Sequence, residues 1–187
     1  MIIQPTFLNG VFEIENLSFQ DHRGKFIKTY QANKFEESGL EFSIKENFYS
    51  VSKRGVLRGM HFQLPPHDHA KLVYVTQGEI LDVAVDIRKG SSSFGSYYAT
   101  YLSSDNARSM YMAKGFAHGF LTISELAVVV YSTNTLHVPE SDAGIRWDSF
   151  GFDWGIEFPL ISERDSSLLT IAALSLMYES LADKNES

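Results

Sequence analysis

The chain of 187 residues has no cysteine, which excludes disulfides, thiolate catalysis, zinc–thiolate sites and iron–sulfur clusters together. Long apolar runs are missing as well. No window approaches the ~20 apolar residues that a membrane-spanning helix needs. The opening residues, MIIQPTFLNGVFEIENLSF, show no basic segment leading into an apolar stretch, so no signal peptide is expected and the expected location is cytoplasmic. Basic charge is scarce. Against 23 Asp and Glu stand 16 Lys and Arg, a net charge of −7, which is ill suited to nucleic acid or anionic membranes. A small anionic ligand stays open, because a few local Arg and Lys can hold one inside an acidic protein.

What the chain does have is aromatic and β-forming residues, with 14 Phe and 9 Tyr. GVFEIE, KFIKTYQ, FSIKENFYSV, VLRGMHFQ, KLVYVTQ, ILDVAVDI, SYYATYL, SMYMA, HGFLTI and LAVVVYSTN all suit strands. The dividers DHRG, LPPHDH, RKGSSSFG, SSDN and AKG carry turn residues. Many short strands with almost no helical period predict one all-β domain, a sandwich or barrel. A short helix is expected at 32–38 and a C-terminal one at about 166–182, capped by Asp165 or Ser166, with Leu169, Ala172, Ala173 and Leu176 on its apolar face. Residues beyond it are expected to fray.

Strand alternation places Lys71 with Val73 and Val75, Asp82 with Ala84 and Asp86, and Tyr131 with Val129 and Ala127. These polar groups either line a barrel interior or face solvent. The segment VLRGMHFQLPPHDHAKLVYV, residues 56–75, raises the sharper question. His67 and His69 one residue apart look like half of a metal-binding cupin site, and His118 in AKGFAHGF would complete a three-histidine set. The carboxylate that follows such a pair in cupins is missing, since none occurs before Glu79. Alternatively, His61 is a base working near neutral pH. Lys71, on the facing strand of a hairpin through LPPHDH, would then be the cation that holds an oxyanion.

The order of motifs resembles one family, the dTDP-4-dehydrorhamnose 3,5-epimerases. The resemblance rests on DHRGKF (21–26), GVLRGMHFQLPPH (55–67), AKLVYVTQGEILDVAVDIRKGSSSFG (70–95), KGFAHGFL (114–121), GIRWD (144–148) and LISERD (160–165). It implies a cupin-like jelly roll without metal or redox cofactor, a homodimer, and a nucleotide-linked 4-keto-6-deoxyhexose as substrate. In this family the ketone acidifies the protons at C3 and C5. His61 would remove them, Asp165 would orient His61, Lys71 would hold the enolate oxygen, and Tyr131 would reprotonate carbon from the opposite face. Arg23 and Arg58 would bind diphosphate, and His118, oriented by Asp82, would lie near the sugar. Asn47 would contact the nucleoside, Gln63, Asp142 and Arg164 would line the site, and Arg23 and Phe26 would reach the partner subunit's pocket. Gly59 is expected to bulge the strand so that Arg58 and His61 meet in one pocket. At three positions the chain departs from the family pattern. It has Lys28, Lys45 and His137 where Glu, Gln and Tyr are usual, so base recognition is expected to be altered, and a relative inverting only C3 or only C5, or acting on another nucleotide sugar, fits the sequence too.

Overall fold

A computed structural model describes residues 1–183. Two antiparallel sheets dominate it. The larger runs β1 (Ile2–Pro5), β2 (Val11–Glu15), β10 (Arg108–Met112), β7 (Lys71–Gln77), β12 (Leu126–Thr133) and β5 (Glu46–Lys53) in that spatial order. The smaller runs β13 (Asp142–Gly144), β6 (Leu57–Gln63), β11 (Phe116–Thr122), β8 (Glu79–Asp86) and β9 (Tyr97–Ser103). A separate hairpin joins β3 (Leu17–Asp21) to β4 (Gly24–Lys28). Sequence neighbours such as β7 and β8 lie in different sheets, which is the jelly-roll crossing pattern.

Three apolar layers follow from alternation. Val73, Val75, Ala84, Met110, Phe120, Val129 and Tyr131 point between the sheets. Leu72, Ile14 and Tyr111 point out of the larger sheet and pack under Phe35 of α1 (Ala32–Glu37) and Phe42. Val83, Val85, Ala117 and Leu121 point out of the smaller sheet and meet Ile145, Phe150, Trp154 and Leu174. Every residue of β11 is therefore buried, as a strand covered on both faces must be. Among the described residues no helix is long and apolar enough to cross a membrane.

Three expectations need correction. The segment LPPHDH does not close a hairpin. β6 pairs with β11 and β13, β7 pairs with β10 and β12, and the loop carries the chain from one sheet to the other. The C-terminal helix is two pieces. Ser162, not Asp165 or Ser166, caps the short α2 (Glu163–Ser166) by accepting from the Asp165 N–H at 3.0 Å, and α3 (Ile171–Asp183) starts five residues later. Its inward residues are Ile171, Leu174, Met177 and Tyr178, whereas Leu169 and Leu176 are exposed. The tail expected to fray lies, beyond Asp183, outside the described residues.

Candidate active site

At one end of the sandwich the two sheets part around a cavity of about 340 Å³, the size of a small-ligand site. The smaller sheet supplies His61, Gln63, His118 and Phe120. The larger supplies Glu46, Phe48, Ser50, Lys71, Tyr131 and Thr133. Arg58, Phe62, His69, Thr135, His137, Asp142 and Arg164 complete its wall.

His61 and His118 are direct cross-strand partners. One residue further along, the β6–β11 register slips between His118 and Phe120, at Gly59. Gly59 has φ +123°, a conformation reserved for glycine, and this bulge brings both Arg58 and His61 to the cavity. A Cβ at Gly59 would lie 2.5 Å from Gly119 Cα, so the two glycines let the strands approach.

Behind His61 stands Asp165, 2.8 Å from Nε2 and also accepting from the Gly59 N–H at 3.1 Å. Burial opposes ionisation of Asp165, but the hydrogen bonds from His61 and Gly59 outweigh it and hold the carboxyl below its usual range. An ionised Asp165 only accepts, so Nε2 carries a proton, and in the neutral imidazole Nδ1 is the nitrogen left to accept one. Across the cavity, burial brings the Lys71 ammonium down from 10.5 to about 8, against the attraction of Asp82 and Asp142. Asp82 is completely buried and bonds His118 Nε2 at 2.7 Å, a diagonal pair across β8 and β11. Burial pushes the His118 pKa down, while Asp82 pulls it up. The His69 pKa is pushed down to about 3, by burial first and then by Lys71. A neutral His69 also fits its Nδ1 accepting from Gln63 at 3.2 Å.

Tyr131 enters from the larger sheet, opposite His61 and His118. Its ring stacks on Phe48, with centroids 4.9 Å apart, and its hydroxyl lies 3.0 Å from Ser50 Oγ. Burial raises the phenol pKa, and Ser50 lowers it in part. At the rim Arg164 pairs with Asp142 at 2.7 Å, His137 lies 3.7 Å from the same carboxylate, and the His137 N–H donates to Glu46 at 2.7 Å. Arg58 has no carboxylate partner among the described residues and donates from Nε to Ser52 Oγ at 2.9 Å. Gln63 is occupied at both ends, donating to His67 O and accepting from the Val138 N–H.

The three-histidine metal arrangement is not assembled. His69 bonds Gln63, His118 bonds Asp82, and His67 does not line the cavity. Among the described residues no group of three His, Asp or Glu side chains is placed to hold a metal ion.

Comparison with known proteins identifies the family. Residues 5–173 match the family described as dTDP-4-dehydrorhamnose 3,5-epimerase. This chain belongs to that family. An epimerase of that name from Methanothermobacter thermautotrophicus is 44% identical over 165 residues, covering 86% of this chain and 89% of the relative. A crystal structure of the Legionella pneumophila dTDP-6-deoxy-D-glucose-3,5-epimerase in complex with dTDP-4-keto-L-rhamnose superposes with a TM-score of 0.89. It is 34% identical and covers 95% of this chain and 96% of that one. A dTDP-4-dehydrorhamnose 3-epimerase from Streptomyces niveus is 34% identical, covering 92% of this chain and 84% of the relative. The family thus includes enzymes named for inversion at two carbons and at one.

The expected nucleoside contacts at Lys45 and Asn47 are not among the residues that line this cavity in the single chain. β5 points Asn47 away from the cavity, where it donates to Ser132 at 2.7 Å, and Lys45 does not line the cavity either. Glu46, Phe48 and Ser50 line it instead. Alternation alone does not choose between these faces, because Glu46, Phe48 and Ser50 on one and Asn47, Tyr49 and Val51 on the other are equally mixed in polarity. Arg23, Phe26 and Lys28 sit on the β3–β4 hairpin, clear of this cavity. Arg23 pairs with Asp21 there, and Phe26 is exposed beside Phe19.

Proposed function

We propose that this chain epimerises C3 and C5 of dTDP-4-dehydro-6-deoxyglucose through an enolate, without a cofactor. The observation that carries the reading is the opposition of two proton-handling groups. His61, oriented by Asp165, lines the cavity from one sheet, and Tyr131 lines it from the other. His61 Nδ1 takes the proton from carbon as the C–H electrons move into the C4 carbonyl. Lys71 holds the resulting enolate oxygen as an ammonium. Tyr131 then delivers its hydroxyl proton to the opposite face of that carbon, and the ketone re-forms. Only a donor on the opposite face inverts the centre.

Arg58, free of carboxylates, takes the diphosphate. At the rim Glu46 provides the acceptor that Lys45 lacks, so thymine, with its single imide N–H, remains the base we assign. Arg23 and Phe26 are exposed on a hairpin away from the chain's own cavity, which supports a homodimer in which they complete the partner's site. The test is proton NMR of the protein with dTDP-4-keto-6-deoxyglucose in D₂O. Deuterium is expected at both C3 and C5, with inversion at both. Uptake at C3 alone would reassign the chain as a single-centre epimerase, and no uptake by folded protein would overturn the reading.

A further inference from the structure

We propose that Ser50 positions the hydroxyl of Tyr131 and relays its proton to solvent. The inference rests on the role given to Tyr131 above and adds the residue that makes that role repeatable. Three rings confine the Tyr131 ring. Phe48, its direct cross-strand partner, stacks on it at 15° between planes. His118 meets it edge-on at 6.0 Å, and Phe120 lies tilted at 6.5 Å. With the ring fixed, the remaining freedom is rotation of the O–H. Ser50 Oγ, diagonal to Tyr131 across β5 and β12, is the partner that sets it.

A buried phenol that gives its proton to carbon becomes a buried phenolate. Such an ion is costly unless a donor meets it. Ser50 supplies that donor through its own O–H, and burial of Tyr131 makes the need acute. Ser50 itself is half-buried, on the edge strand of its sheet, so water reaches its other side. The cycle balances. Tyr131 O–H breaks as the new C–H forms, Ser50 passes its proton to the phenolate, and water restores Ser50. His61 returns the proton it removed to solvent.

The test separates exchange from inversion. Ser50→Ala, Ser50→Thr and Tyr131→Phe are assayed in D₂O with dTDP-4-keto-6-deoxyglucose, recording deuterium uptake and inverted product independently. Exchange with retention needs neither Tyr131 nor Ser50, because a solvent-derived proton can return from the His61 face. Ser50→Ala is expected to lower the ratio of inversion to exchange by about tenfold or more, the effect of one lost hydrogen bond to a charged group. Ser50→Thr, which keeps the hydroxyl, is expected to restore the ratio. An unchanged ratio in Ser50→Ala, with a collapsed ratio in Tyr131→Phe, overturns the relay and leaves Tyr131 as donor. Equal losses of exchange and inversion in Ser50→Ala also overturn it, as a merely structural effect. Full inversion by Tyr131→Phe would instead remove the donor role on which the relay rests.

Discussion

Replacing Lys71 with Met should stabilise the protein while disabling it. The residue is 7% exposed, so its charge is held almost wholly out of water. Burial lowers its pKa from 10.5 to about 8 even with Asp82 and Asp142 pulling the other way. At ~1.36 kcal/mol per pH unit, holding the ammonium in the folded state costs about 3 kcal/mol at neutral pH. The sign follows from proton binding. Between pH 8 and 10.5 the unfolded chain keeps the lysine proton that the folded chain has released, so stability rises with pH across that window. Below pH 8 the full cost is present. Met removes it with little change of shape, although Asp82 and Asp142 lose a cationic neighbour, so we expect a net gain of about 1–3 kcal/mol at pH 7. At pH 9.5 the lysine penalty falls to about 1.4 kcal/mol, and the advantage of the variant shrinks with it. Urea unfolding of both proteins at pH 7 and pH 9.5, at one fixed concentration, measures this difference. A variant less stable than the parent at pH 7, with an unchanged pH slope, would refute the buried-ammonium account. The same variant should lose roughly 10²–10³-fold in rate, the loss expected for one removed oxyanion donor.

The remaining predictions concern the rest of the cavity and its frame. If Lys71 must be charged to hold the enolate, activity should decline above about pH 8, and an alkaline limb only near pH 10.5 would mean that burial does not lower the lysine pKa in this way. Asp165→Asn should reduce deuterium uptake by ~10²–10⁴-fold through loss of the correct imidazole tautomer, with an unchanged circular dichroism spectrum; a loss under threefold would leave Asp165 a purely structural group. Gly59→Ala forces a Cβ to 2.5 Å from Gly119 Cα and 2.7 Å from His118 O at φ +123°. The penalty should exceed about 3 kcal/mol and lower Tm by more than ~5 °C. A Tm within a degree of the parent would mean that β6 and β11 are not so closely apposed.

Much of the fold is legible in local patterns, and the failures have identifiable causes. KLVYV, ILDVAV and LAVVVY alternate cleanly enough that the companions of Lys71, Asp82 and Tyr131 on the inner faces follow from period two. Whether those faces meet a second sheet or solvent is a tertiary fact, decided by the sheet opposite. The hairpin expected through LPPHDH failed because its length fits a hairpin and a sheet-to-sheet crossing equally well. On β5 the two faces carry similar mixtures, so alternation does not foretell that Glu46, Phe48 and Ser50, rather than Asn47, line the cavity. The C-terminal helix failed differently. Residues 167–170 have adequate helical propensity, yet a turn there lets the Arg146 N–H reach Leu169 O at 2.7 Å and the Ile171 N–H reach Ser149 Oγ at 3.0 Å, and tertiary bonds of this kind override local preference.

The crossing from β6 to β7 is also what suits this fold to inversion. In a hairpin, His61 would stand on the same sheet as Lys71 and, through the β7–β12 pairing, Tyr131, and a sugar laid against them would meet base and acid from one direction. With LPPHDH leading from one sheet to the other, His61 and His118 stand on one wall and Lys71 and Tyr131 on the opposite wall. A sugar ring between the walls presents one face to each. On the proposed mechanism, proton removal belongs to the smaller sheet and proton delivery to the larger. Each wall also has its own supporting group, Asp165 of α2 behind His61 and Ser50 of β5 beside Tyr131. Rebuilding either supporting group then perturbs one half of the reaction, which is why exchange and inversion, measured separately, report on the two walls of the cavity.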